Sequence, residues 1–291
     1  MTWFIHHVNI PAHDTRDSSN FYERVLGVEE VPWVFPDRLD VVIQDPEKLR
    51  LLPCPTRALV ANPGIHVVKP DPGFSISRRF HHNPTIGGHV AYHVADLDQV
   101  IARLEARGVP HTLTGEYAIP NIRQVYFFDP AMNLVEANAC LTADRAELSA
   151  APWSIHHVNI AAIDVRETAE FYMDVLAMEE AAWTFPANRG AVSADPAELT
   201  LMPSDTMSQG ANTGLHIIKP DPLFAQKNGL IHNPSIGGHI AYQVPDLARV
   251  IATLEELDVP FSLTGEFAIP GMRHLYCFDP AMNLIEVNEM L

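Results

Sequence analysis

The sequence is poor in cysteine and in positive charge, and it has no long apolar run. Three cysteines, Cys54, Cys140 and Cys277, stand among 291 residues. So small and odd a set argues against a disulfide framework and points to a reducing cytoplasm. Lysine and arginine total 19 against 36 aspartates and glutamates, a formal net charge of −17. Such a balance speaks against nucleic acid or a membrane surface as partner, since both are held by basic patches. A small anionic substrate stays admissible, because a metal and one local cation reverse the field inside a pocket. No apolar stretch approaches the roughly 20 residues that a bilayer-crossing helix needs. The opening Trp3-Phe4-Ile5-His6-His7 carries no secretion-signal pattern. The 24 prolines fall mainly at element edges, as turn punctuation. What these absences leave is a soluble globular protein, 47% hydrophobic and 19% charged.

What is present is a repeat. Residues 3–141 align with 153–291 at a constant offset of 150 without a gap, and roughly half the positions are identical. The period is too long for a solenoid, so this is duplication of a domain: 1–141, a polar, alanine-rich linker 142–152, and 153–291. None of the cysteines repeats; their counterparts are Ser204, Met290 and Phe127.

Inside each copy the element order repeats again. Trp3–Ile10 alternates as a strand, and Asp14 caps a helix whose Phe21, Tyr22, Val25 and Leu26 form an apolar face before Gly27 ends it. Strand-like stretches follow at Glu29–Phe35, Asp40–Gln44, Leu49–Leu52 and Ile65–Val68. The second half opens on a strand at Gly88–Val94, then a helix capped by Asp96, then strands at His111–Tyr117, Arg123–Phe128 and Leu134–Asn138. The expectation is an α+β fold of four β-α-β-β-β modules.

Fifteen histidines are present, ten of them in matched pairs: His6 with His156, His7 with His157, His66 with His216, His82 with His232, and His89 with His239. Strand alternation sorts them. With Val8 and Ile10 facing the helix, His7 and Asn9 face away. The same division puts His89, His66, Glu136 and Asn138 on the non-helix face. Two or three imidazoles and a carboxylate on one sheet face suit a divalent metal, with Fe(II) first and Zn, Ni, Mn or Co as alternatives. The candidate ligands are His7, His66, His89 and Glu136, repeated as His157, His216, His239 and Glu286. Asn9 and Asn138, with Asn159 and Asn288, lie two positions along from them as candidate substrate contacts. The loop beginning His82-Asn83-Pro84, repeated at His232, reads first as an Asn-Pro turn and otherwise as a lid or a support for the ligand strand. Modules pair either within a copy or by exchange, so that His7 meets His239 and Glu286.

These residues resemble the vicinal oxygen chelate superfamily, which contains glyoxalases, bleomycin-resistance proteins and extradiol dioxygenases. The likeness rests on His7-Val8-Asn9-Ile10 with Phe21-Tyr22 and Leu26-Gly27, on Gly88-His89-Val90-Ala91-Tyr92, and on Phe128-Asp129-Pro130 with Asn133 and Glu136. It covers nearly the whole chain, twice. It implies paired modules forming cup-shaped domains around a metal, with His7, His89 and Glu136 as ligands. His66 stands where glyoxalase-type members carry a glutamate or glutamine. Met132 and Met282 replace the glycine usual in the family's closing turn. Arg123 and Arg273, with Lys69 and Lys219, are repeated basic residues of the kind that anchor glutathione in glyoxalases.

Three functions follow as expectations. The first is an extradiol-type dioxygenase acting on a small aromatic or oxygen-chelating substrate. The second is a glyoxalase or epimerase, with Glu136 and Glu286 serving as both ligand and base. The third is a binding protein without catalysis. A homo-oligomer is compatible with each.

Overall fold

Asp14, Asp96, Asp164 and Asp246 each accept the backbone N–H three residues on, at 2.9–3.1 Å. Each cap is worth about 1 kcal/mol. They start α1 (Thr15–Leu26), α3 (Leu97–Ala106), α4 (Val165–Leu176) and α6 (Leu247–Glu256). Two short helices, α2 (Phe74–Arg78) and α5 (Phe224–Asn228), were not expected from the sequence. The computed structural model describes residues 3–35, 45, 47–58, 60–115, 119–141, 151–187, 193–266 and 268–291. The expected strand at Asp40–Gln44 and most of the linker lie outside the described residues.

The first copy contributes β1 (Phe4–Pro11), β2 (Leu49–Pro53), β3 (Gly64–Val68), β4 (His89–His93), β5 (His111–Thr114), β6 (Ile122–Phe128) and β7 (Leu134–Cys140). They form one sheet in the order β2-β3-β1-β4-β7-β6-β5. The second copy contributes β8 (Ser154–Ala161), β9 (Leu199–Pro203), β10 (Gly214–Ile218), β11 (His239–Gln243), β12 (Phe261–Glu266), β13 (Met272–Phe278) and β14 (Leu284–Met290). Their order is β12-β13-β14-β11-β8-β10-β9. The fold is α+β, with one mixed sheet per copy, as expected. Each copy pairs its own modules, β1 antiparallel to β4 and β8 antiparallel to β11, so no exchange occurs.

Glu29–Phe35 departs from its strand expectation. Among the described residues it makes one isolated bridge, Val31 with Leu51. Further pairing is replaced by a side chain: the Asn62 amide accepts from Val34 N–H at 2.9 Å and donates to Val34 C=O at 2.8 Å. Asn212 clamps Thr184 in the same way. This holds Trp33 and Trp183 over the sheet face opposite the helices. Two glycines admit the close approaches the sheet needs. A Cβ on Gly64 would lie 2.3 Å from Leu52 O, and one on Gly88 would lie 2.5 Å from Asn9 O.

The helix-side faces of both sheets bury one shared core. Tyr22 of the first copy stacks edge-on to Tyr242 of the second, and Tyr92 to Tyr172. Tyr22 donates to Asp279 at 2.9 Å, and Tyr172 donates to Asp129 at 3.1 Å. Those aspartates organise the closing turns, which Met132 and Met282 enter with φ of 65°. Methionine therefore adopts the left-handed conformation usually left to glycine. No helix among the described residues is long and apolar enough to cross a membrane.

Candidate metal centre

The three central strands β1, β4 and β7 set the site. In register, His7 lies beside Ala91 and Ala91 beside Glu136, while His89 lies beside Asn9. Ala91 thus separates a histidine and a glutamate with only a methyl group, and the longer side chains converge over it. Ala241 does the same between His157 and Glu286. The small residue lies on the face that alternation assigns to His89, and its size is what leaves room for the ligands.

His7 Nε2 lies 3.3 Å from His89 Nε2 and 3.6 Å from Glu136 Oε2; His89 Nε2 lies 3.5 Å from the same oxygen. In the second copy the corresponding separations are 3.4, 3.7 and 3.4 Å. Donors about 2.1 Å from one centre stand about 3.4 Å apart at tetrahedral angles and about 3.0 Å at right angles. The observed spacings of 3.3–3.7 Å bring the three atoms close enough to share one ion, without selecting its geometry. All six side chains are buried.

The hydrogen bonds fix which nitrogens are bare. His6 Nε2 lies 3.1 Å from Ala61 O, which only accepts, so this nitrogen carries the proton. Burial pushes His6 down to about 3, so it is neutral and its Nδ1 is an acceptor. His7 Nδ1, 2.7 Å away, must then donate, leaving a lone pair on His7 Nε2. In the second copy His239 Nδ1 donates to Pro234 O at 3.0 Å, so the neutral ring presents its lone pair on Nε2. In the second copy the Asn-Pro loop thus also supports the ligand strand β11. Each copy therefore points a bare imidazole nitrogen at a carboxylate oxygen. Two acceptors face each other favourably only across a cation, so the donor set fits a divalent ion.

Burial acts to raise the Glu136 carboxyl, but His89, Asn138 and Tyr126 beside it hold it below its ordinary value. Burial acts likewise on Glu286, where His274 and His157 outweigh it and leave the group well below. His7 and His157 are lowered well below the usual imidazole range, first by burial and then by neighbouring histidines. Neutral imidazoles and an ionised carboxylate are the metal-binding forms.

His66 is placed beside these atoms and not among them. Its ring stacks on His7 at 3.8 Å, edge-on to Trp33, and its Nε2 donates to Asn62 O at 2.7 Å. His216 repeats this with Asn212 O at 2.6 Å. Asn9 and Asn159 border the clefts, each with a buried Oδ1 that has no partner. Asn138 and Asn288 instead donate to the glutamates, at 2.9 and 2.8 Å. Arg123 and Arg273 pair with Asp98 and Glu289, whereas Lys69 borders the first cleft. His6 and His156 are site residues that alternation concealed. A β-bulge lies between Ile5 and His7, with its counterpart beside His157 opposite Ala241 and Tyr242, and breaks the period of two there. The repeated His-His pair was the available signal.

A family model described as the Glyoxalase/Bleomycin resistance protein/Dioxygenase superfamily matches residues 4–137 and 154–287. Similar solved structures include the Mn(II)-bound glyoxalase from Novosphingobium aromaticivorans, at 15% identity and TM-score 0.59, covering 98% of this chain and 81% of that one. A halotolerant catechol dioxygenase matches at 15% identity and TM-score 0.59, with 98% and 86% covered. Homoprotocatechuate 2,3-dioxygenase from Arthrobacter globiformis matches at 14% identity and TM-score 0.61, with 98% and 79% covered. No curated protein matches the chain.

Proposed function

The chain belongs to the Glyoxalase/Bleomycin resistance protein/Dioxygenase superfamily, and from that premise we propose that it is a divalent-metal-dependent dioxygenase of the extradiol type, acting in the cytoplasm on a small aromatic or vicinally oxygenated molecule. His7, His89 and Glu136 would hold one ion, with Fe(II) preferred, and His157, His239 and Glu286 a second. The observation that carries the reading is the three-membered set of converging acceptor atoms, with His66 turned to a backbone carbonyl. A 2-His-1-carboxylate face, when loaded, supplies open adjacent positions and oxygen chemistry.

The chain's own residues do the rest. His6 orients His7, and Asn138 and Gln124 hold Glu136 Oε1 at 2.9 and 3.1 Å, which aims Oε2 at the imidazoles. Trp33, Phe74 and Tyr126 line the cleft, exclude water and offer ring faces to a planar substrate. The unpartnered Asn9 Oδ1 accepts a substrate hydroxyl. Burial, then Glu286, raises Tyr276 well above the usual phenol range, so its hydroxyl stays a donor.

A glyoxalase or epimerase route needs Glu136 or Glu286 as a proton acceptor. Carboxyls held below their ordinary value, with Oε1 already accepting from neighbouring side chains, favour the ligand role over the base. The test is elemental analysis of protein purified without added metal, followed by oxygen uptake with a catechol panel. Iron near two per chain with oxygen uptake supports the proposal. Nickel or zinc without uptake moves the assignment to the lyase, and a metal-free protein moves it to small-molecule binding.

A further inference from the structure

The two clefts share a floor and differ at the mouth. The first encloses about 740 Å³, its open entrance included, and is bordered by Lys48, Lys69 and Asp71. The second encloses about 460 Å³, and Glu286 is the single charged side chain of its described lining apart from the histidines. Lys48 and Lys69 stand opposite one another where the β2–β3 ladder ends, with Lys69 N–H donating to Lys48 C=O at 2.8 Å. Like charges placed so are destabilising. Among the described residues neither ammonium makes an ion pair with a carboxylate, although the chain carries 36 acidic side chains.

In the second copy the same backbone bond joins Lys219 to Glu198, which places opposite charges across the ladder. Asp221 is neutralised there by Lys227 at 2.8 Å. The first copy has Ser77 at the position of Lys227, and its Asp71 accepts from Gly73 N–H. Counting Lys48, Lys69 and Asp71 leaves one positive charge at the first mouth. The matching positions of the second copy, Glu198, Lys219 and Asp221, with Lys227, sum to zero, and none of them borders the described second cleft. A local positive surplus in a chain of net charge −17 runs against the field of the whole molecule.

We propose that the first cleft takes a substrate whose metal-facing end is followed by an anionic group, a carboxylate above all, received by Lys48 and Lys69. The second cleft takes a smaller, uncharged molecule. This deepens the dioxygenase reading and rests on it for the metal-facing end. The larger volume gives the substituent room, and Lys48 and Lys69 give it a counter-charge that the described lining of the second cleft lacks.

Calorimetric titration of the purified, metal-loaded protein under nitrogen tests this without turnover, using protocatechuate as the carboxylated probe and catechol as the neutral one. The expected result is about tenfold tighter binding of protocatechuate at one site per chain. Lys48→Glu, which installs the second copy's own residue at an exposed position, should weaken protocatechuate by about tenfold and by more than it weakens catechol. The reciprocal Glu198→Lys should tighten protocatechuate at the second site. No preference for the anionic probe, including no binding of either, overturns the proposal. So does a preference that survives Lys48→Glu combined with Lys69→Gln. Equal binding of both probes with oxygen uptake would leave the dioxygenase standing and remove the charge assignment. Lys48-dependent binding of protocatechuate without oxygen uptake would do the reverse.

Discussion

The two halves keep the same three converging atoms and support them differently. Gln124 donates to Glu136 through an amide at 3.1 Å, whereas His274 donates to Glu286 through an imidazole at 2.8 Å. Asn138 is braced by His93 at 2.9 Å; its counterpart Asn288 has an unpartnered Oδ1, because Gln243 turns to the Gln209 backbone. His239 is braced by Pro234 O, whereas His89 Nδ1 has no partner. Chelation requires a fixed geometry and tolerates little change, while the groups behind it set basicity and can drift.

The largest expected effect breaks the equivalence of the halves outright. His89→Ala should reduce metal content from about two ions per chain to about one, and His89→Ala with His239→Ala should abolish it, read by elemental analysis after dialysis. Unchanged metal in the double variant would refute the assignment of both sites.

The next effect is shared by the halves. Burial pushes His6, His66 and His216 down to about 3 and His156 to about 4. In the unfolded chain each titrates near 6.5. Below that pH the unfolded state binds protons that the folded state excludes. Stability of the metal-free protein should therefore fall from about pH 6.5 and keep falling to about pH 3–4. Urea midpoints across this range check it. Two separate transitions would contradict the single shared core.

A smaller effect compares the bulge histidines. His6→Ala should weaken metal at the first site by about 10–100-fold, and His156→Ala should do so at the second. Competition with a chelator measures each loss. If neither moves the affinity, the tautomer argument fails.

The smallest concerns helix ends. Gly27 and Ala177 close α1 and α4 in the left-handed conformation, at φ 69° and 53°. Ala177→Gly should stabilise by about 0.5–1 kcal/mol, and Gly27→Ala should cost about 1 kcal/mol. A Cβ at Gly27 would also press on Arg249 Nη2 at 3.1 Å. Denaturant titration resolves both.

Much of this was legible in the sequence because strands alternate. Val8 and Ile10 against His7 and Asn9 suffice to assign faces, and Ala91 lies in register as that pattern requires. His6 was not legible, since a bulge obeys no period. Nor was Asn138, which occupies the expected face but spends its amide on Glu136. Glu29–Phe35 has strand-forming residues, yet its pairing partner is the Asn62 side chain, and propensity says nothing of that. His66 lies on the expected face, and a backbone carbonyl four residues back decides where its nitrogen points.

The crossed tyrosines, Tyr22 on Asp279 and Tyr172 on Asp129, are one contact made twice, by the same residue of each half onto the same residue of the other. Such reciprocity relates the two copies by a pseudo-twofold axis, the isologous contact of a symmetric dimer made within one polypeptide. Fusion makes the association intramolecular, so assembly of the pair no longer depends on protein concentration. It also ends a constraint on inheritance. In a homodimer every substitution appears at both sites at once, whereas here each half mutates alone, so one cleft can change while its twin is kept.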